Sequence, residues 1–187
     1  MNKLFLIITL CFSLQASALE IEGAKFAESI KVENATLVLN SAGTRKIVFF
    51  KMYAIGLYLA EKQSNADLIL ADSQSKRIAL SVLVDDGETQ RFLNGFRRGI
   101  EKNHSEAQLA ALSERLANFD KLFSPVKTVK KYDVVSFDWL PNEGTRVALN
   151  GAELGEIAGE DFYRALLSIW LGNKPVSDDL KRNLLSH

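Results

Sequence analysis

The chain has 187 residues, of which 47% are hydrophobic and 25% charged, and its 23 Lys plus Arg are matched by 23 Asp plus Glu. This is the composition of a globular protein with room for one core, without the basic surplus of a nucleic-acid binder. A single Cys excludes a disulfide framework and a Cys-based zinc site, and two His leave little for a histidine metal site.

Residues 1–18 begin Met1-Asn2-Lys3, continue through an apolar core from Leu4 to Leu14, and end in Ala16-Ser17-Ala18. A basic start, a short apolar core and an A-x-A end form a secretory signal pattern, and the core is shorter than the roughly 20 residues of a membrane span. Cleavage after Ala18 is expected, which leaves residues 19–187 as one domain with a periplasmic or secreted destination. Cys11 falls in the leader, so the remaining chain cannot mispair in an oxidising compartment. No later apolar run is long enough to span a bilayer.

The first half reads as strands. Ile21 to Phe26 and Ala35 to Leu39 are short candidates, and Asn40-Ser41-Ala42-Gly43-Thr44 has the composition of a turn. From Ile47 to Leu59 both residue parities are mainly apolar, which predicts a central strand covered on both faces. Ala66 to Leu70 follows as a short helix capped by Ser64 or Asn65, and Arg77 to Val84 as another strand.

Phe92, Phe96 and Ile100 recur every fourth residue and mark one face of a helix whose polar side carries Arg91, Arg97, Arg98 and Lys102. Ser105 with Gln108 predicts a capping box for a second helix with the stripe Leu109, Leu112, Leu116 and Phe119. Strands return at Val134–Leu140, Thr145–Leu149 and Glu153–Ile157, joined by the turns 141–144 and Asn150-Gly151. A helix through Phe162, Leu166 and Ile169 ends at Gly172, and Ser177 caps a last helix to Leu185. Locally paired strands with helices in a block and at the end predict an α+β fold, a curved antiparallel sheet with helices on one face and a cleft between the layers.

Familiar catalytic signatures are missing from the sequence: no phosphate loop, dinucleotide fingerprint, H-E-x-x-H or G-x-S-x-G. His104 reads as a solvated histidine of an interhelix turn, and Asp85-Asp86 and Asp178-Asp179 as turn and helix-start pairs. Asn34 and Asn103 begin formal glycosylation sequons. No cofactor, metal site or catalytic residue is expected.

Residues 37–59, LVLNSAGTRKIVFFKMYAIGLYL, carry a small-residue stretch Ala42-Gly43-Thr44-Arg45 and then Lys51-Met52-Tyr53-Ala54-Ile55-Gly56-Leu57-Tyr58-Leu59. The stretch resembles the chalcone isomerase family, with its G-A-G-x-R turn and a strand ending K-F-T-A-I-G-V-Y-L. Leu171-Gly172 and Val176-Ser177-Asp178-Asp179-Leu180-Lys181-Arg182 are similar to the family's closing helices. The resemblance implies an open-faced β-sandwich with a helical layer, and it is nearest to bacterial exported members.

That family includes ring-closing isomerases and a non-catalytic branch that binds fatty acids. The family's motif arginine is present as Arg45, whereas the enzyme's threonine before A-I-G is replaced by Tyr53, and the fatty-acid-binding branch is similar in having an Arg and Tyr pair. Asn103 and Ile169 fall where the enzyme has a tyrosine and a second threonine, so the resemblance implies binding of a fatty acid or similar amphipathic carboxylate by Arg45 and Tyr53. An Arg grips a carboxylate through two parallel hydrogen bonds, and eight buried methylenes would offer roughly 6 kcal/mol. In one straight strand Arg45 and Tyr53 would stand about 26 Å apart, so they meet only if the chain turns or bulges between them. Lys51, about 7 Å from Tyr53 on the same parity, is the alternative cation. Two other readings stay open: an intramolecular lyase acting on a chalcone-like enone, and a protein-interaction module whose cleft is filled by side chains.

Overall fold

The computed structural model describes residues 18–186, so the leader segment predicted at the N-terminus lies, but for Ala18, outside the described residues. In chain order the elements are β1 (Ala18–Ile21), β2 (Ala24–Ala27), β3 (Ser29–Val32), β4 (Ala35–Ile47), β5 (Phe50–Leu59), α1 (Ala66–Ala71), β6 (Lys76–Val82) and β7 (Gly87–Glu88). They continue with α2 (Thr89–Asn103), α3 (Glu106–Leu122), β8 (Thr128–Val129), β9 (Val134–Leu140), β10 (Gly144–Leu149), β11 (Ala152–Ile157), α4 (Glu160–Leu171) and α5 (Asp178–Leu185).

A seven-stranded sheet in the order β11-β10-β9-β6-β5-β4-β3 forms the frame, with every neighbouring pair antiparallel. β1 and β2 form a separate ribbon around Glu22-Gly23, where a single strand over Ile21–Phe26 was expected. On one face Tyr53, Ile55, Leu57 and Leu59 of β5 join Phe96, Phe119, Phe137, Phe162 and Trp170 in the main core, which α2, α3 and α4 close. On the other face Ala54 and Tyr58 of β5 pack with Phe26 of the ribbon. β5 is thus covered on both sides, as its doubly apolar pattern predicts, and the layers are those of the expected α+β fold. Among the described residues no helix is long and apolar enough to cross a membrane.

The local signals that rest on caps and tight turns are formed in the structure. Asn65 accepts from the amides of Asp67 and Leu68, and Ser105 with Gln108 makes the full capping box. Asn150-Gly151 turns β10 into β11 with both residues at positive φ. A second region departs from expectation. Residues 40–44 are not a turn but the middle of β4, and the turn falls later, at Val48-Phe49.

Packing explains the departure. A Cβ at Gly43 would stand 2.6 Å from Leu180 Cδ1, because α5 lies directly on β4. Asn40, fully buried, donates to Leu184 O at 2.7 Å and accepts from Gln63 N at 2.7 Å. The small and polar residues that imitate a turn are those that allow a helix to approach the strand and join it by side-chain hydrogen bonds.

Candidate functional site

The hairpin turn at Val48-Phe49 decides the geometry of the site. It folds β4 back on β5 so that Arg45 stands directly opposite Tyr53 in the register. The seven residues between them contain the turn rather than a straight run, and directly paired residues of an antiparallel ladder lie about 4.5–5.5 Å apart on one face. The two residues that the sequence proposes as a pair are therefore neighbours.

Lys51 is not with them. The register shifts between Arg45 and Lys46, leaving Met52 as an extra residue in β5, so that Tyr53 opposes Arg45 but Lys51 opposes Lys46. A bulge reverses the alternation of faces. Lys51 thus leaves the Tyr53 side and binds Glu22 of the ribbon on the other face at 2.5 Å. The expectation that Lys51 shares a face with Tyr53 fails because simple parity does not survive a bulge.

Beside Arg45 and Tyr53 opens a cleft of about 300 Å³ between this end of the sheet and α2. Its volume is at the lower end of the range for small-molecule sites, about 300–1,000 Å³. Met52, Phe92, Phe96 and Ile169 supply apolar walls, and Arg91, Arg98 and Lys102 join Arg45 as its cations. A Cβ at Gly95 would meet nothing within 4 Å, so the absent side chain leaves the helix side of the cleft open. The cleft is not filled by side chains, which is what the interaction-module reading required.

No Asp or Glu lines the cleft, and among the described residues none of its four cations has a carboxylate within 4 Å. The sequence places Arg91, Arg98 and Lys102 on a polar helix side without distinguishing them from Arg97. The structure separates them, because Arg97 pairs with Asp120 across to α3 whereas the other three border the cleft. A helical wheel shows a polar side but not what stands opposite it.

Tyr53 is 6% exposed, and its hydroxyl accepts from Trp170 Nε1 at 3.0 Å. Burial pushes its pKa up to about 12, against the lowering influence of the Trp170 hydrogen bond and the Arg45 charge. It is therefore a neutral phenol at physiological pH. Among the described residues it donates to no protein acceptor, so its proton is available to a group in the cleft. Trp170 reads from the sequence as core alone; it is core, and it also orients Tyr53.

Behind Tyr53, Phe92 and Phe96 lies a second hollow of about 30 Å³ whose exposed lining surface is wholly apolar. Thr89, whose hydroxyl is buried without a partner among the described residues, borders it. The two other positions singled out by the resemblance are not polar reaction groups. Asn103 ties the end of α2 to residue 174, donating to Lys174 O at 3.0 Å and accepting from Lys174 N at 2.8 Å, and Ile169 is aliphatic wall.

Comparison with known proteins agrees with this architecture. The profile of the family described as chalcone isomerase-like matches residues 18–186. Among solved structures, the chain is similar to a fatty-acid binding protein of Arabidopsis thaliana with a TM-score of 0.72 at 16% identity, covering 90% of this chain and 96% of that one. At that identity the likeness speaks for the fold. No curated protein matches.

Proposed function

This chain belongs to the chalcone isomerase-like family, and from that premise we propose that it is an exported, non-catalytic binder of a fatty acid or a similar small amphipathic carboxylate. One observation carries the reading: Arg45 and Tyr53 are paired across β4 and β5 at an apolar cleft whose cations have no carboxylate partner among the described residues. A carboxylate would take two parallel hydrogen bonds from the Arg45 guanidinium and a third from the Tyr53 hydroxyl, which Trp170 leaves free to donate. The acyl chain would lie along Met52, Phe92, Phe96 and Ile169, gaining about 0.8 kcal/mol for each buried methylene before ordering costs. The structural neighbour from Arabidopsis thaliana, named as a fatty-acid binding protein, supports the ligand class.

The isomerase alternative asks for more than the cleft offers. Ring closure needs a placed phenolate and a stabilised enolate. Tyr53, with its pKa near 12, is poorly suited to accept a proton at neutral pH. The positions that the resemblance assigns to further polar groups hold Ile169 and a structural Asn103.

Native mass spectrometry of the protein isolated from its own cells, followed by organic extraction, tests the proposal. An acyl carboxylate should co-purify, or be taken up when supplied, and be lost in Arg45→Ala. A bare mass with no uptake of added fatty acids would overturn the binding reading. Chalcone turnover well above buffer, abolished in Arg45→Ala, would establish the enzyme instead.

A further inference from the structure

We infer that the tip of the β4–β5 hairpin is a membrane-docking element that seats the mouth of the cleft on a bilayer carrying anionic headgroups. Ile47, Val48, Phe49 and Phe50 are consecutive, apolar and exposed to 48%, 78%, 91% and 71%. Of the other exposed large apolar residues among those described, Leu19 and Leu68 stand alone in the chain and Tyr132 and Val134 are separated by Asp133, so none forms a comparable run. Isolated exposed apolar residues are ordinary, whereas a contiguous patch marks a contact surface.

The backbone of the tip points the same way. Val48 has φ of 54°, while Phe49 does not share the positive φ. A two-residue hairpin loop with a positive φ at its first central position suits Gly, and a β-branched residue there is conformationally unfavourable. The chain elsewhere uses Asn150-Gly151 for such a turn. At Val48-Phe49 it forgoes favourable turn chemistry and leaves apolar surface in water. Insertion of the tip into an apolar phase compensates the second cost and gives the first a reason.

Charge identifies the phase. Arg45 and Lys46 at the base of the tip, with Arg91, Arg98 and Lys102 along the adjoining cleft, have no carboxylate within 4 Å among the described residues. The acids nearby lie on other sides of the tip: Glu22 neutralises Lys51, and Asp85, Asp86 and Glu88 border an adjoining hollow beside Phe50 that shares Ile47, Met52, Arg91 and Phe92 with the cleft. The cleft side of the tip is thus the side that an anionic surface attracts. Ile47 belongs both to the exposed tip and to the cleft wall, so docking brings the cleft to the headgroups. A second copy of the chain is a poorer occupant, because a tip of four side chains offers far less than the ~800 Å² per partner of a standard interface. The docking does not depend on the ligand; only its use, moving an acyl chain from bilayer to cleft without crossing water, rests on the proposed function.

The test places a reporter at the tip, since the apolar run from Leu4 to Leu14 could itself enter a bilayer. Phe49→Trp is made in the full chain as isolated from cells, and its emission is read as the difference from the parent, whose Trp139 and Trp170 are buried. With phosphatidylglycerol–phosphatidylcholine vesicles the emission of the introduced indole should shift to the blue and be quenched by brominated acyl chains, and the partition should weaken in high salt. Adding Val48→Gly and Phe50→Ser should lower the partition at least tenfold while leaving thermal stability equal or higher. Water-like emission of the introduced indole on these vesicles would overturn the inference. So would a blue shift without vesicles that follows protein concentration and doubles the mass, or unfolding of the triple variant.

Discussion

Two cationic regions of this protein differ in what surrounds them. At the β10–β11 edge Arg146 is bound to Glu33, Glu143, Glu153 and Glu156, and in the middle of the sheet Arg77 makes a two-pronged pair with the buried Asp138. At the hairpin end, Arg45, Arg91, Arg98 and Lys102 border a cleft with no such partner among the described residues. The first arrangement is complete within the chain and serves the fold. The second is incomplete, because adjacent cations repel one another and the Arg45 guanidinium meets only the neutral carbonyl of Lys46, and an external anion completes it. Similar residue types thus do different work according to whether the fold supplies the counter-charge.

Substitutions can break this comparison at either region. Asp138→Ala leaves the Arg77 charge without its partner and should cost about 3 kcal/mol in urea unfolding. The affinity of the folded protein for a fatty acid should be unchanged by it. If the folded protein lost affinity, the two regions would not be separate.

Alkaline titration sharpens the difference at Tyr53. Its folded pKa of about 12 lies above the ordinary tyrosine value of 10.0, so the protonated phenol is favoured by the fold. That stabilisation is fully present below pH 10 and is lost as pH rises from 10 towards 12, on the order of 3 kcal/mol when complete. Tyr58 is likewise raised to about 12 and Tyr163 well above 10, both chiefly by burial. Phenolate absorbance should therefore lag behind that of a denatured control and rise with loss of structure. Early titration of Tyr53 in the folded state would show that it is not sequestered.

Arg45→Ala is the opposite of Asp138→Ala. Stability should change by no more than about 0.5 kcal/mol, since no carboxylate among the described residues is left unpaired. Fatty-acid affinity should fall about 10–100-fold, the worth of hydrogen bonds to a charged group. An equal loss of stability would make Arg45 structural, like Arg77.

The smallest effect is expected at Gly95. Gly95→Ala should stabilise α2 by about 0.5–1 kcal/mol, because the new methyl group meets nothing within 4 Å. Gly95→Leu should keep the fold and weaken a long acyl ligand by partly filling the cleft. Undiminished binding would place the ligand elsewhere.

Features whose physics is contained in a few neighbouring residues were legible in the sequence. The Ser105–Gln108 capping box, the α1 cap and the Asn150-Gly151 turn each depend on atoms within four residues; the box and the turn formed as read, and of the two cap candidates Ser64 and Asn65 the structure uses Asn65. So did the placement of β5 between two layers, because a strand apolar on both parities cannot leave either face in water. The candidate pair Arg45 and Tyr53 was also legible, through motifs rather than geometry.

The turn between them was not legible, because Val48-Phe49 has strand composition while residues 40–44 have turn composition. Only the approach of α5 to Gly43 and Asn40 accounts for the small residues, and only the long-range register accounts for the turn. The misplacement of Lys51 has the same origin, since a bulge is a property of two strands together. The sequence by itself determined the helices, the caps at Ser105, Gly172 and Ser177, the layered α+β class and the identities of two cleft residues. Tertiary structure alone decided which cations are left without partners and which residues face the same space, since both depend on chain segments distant in sequence.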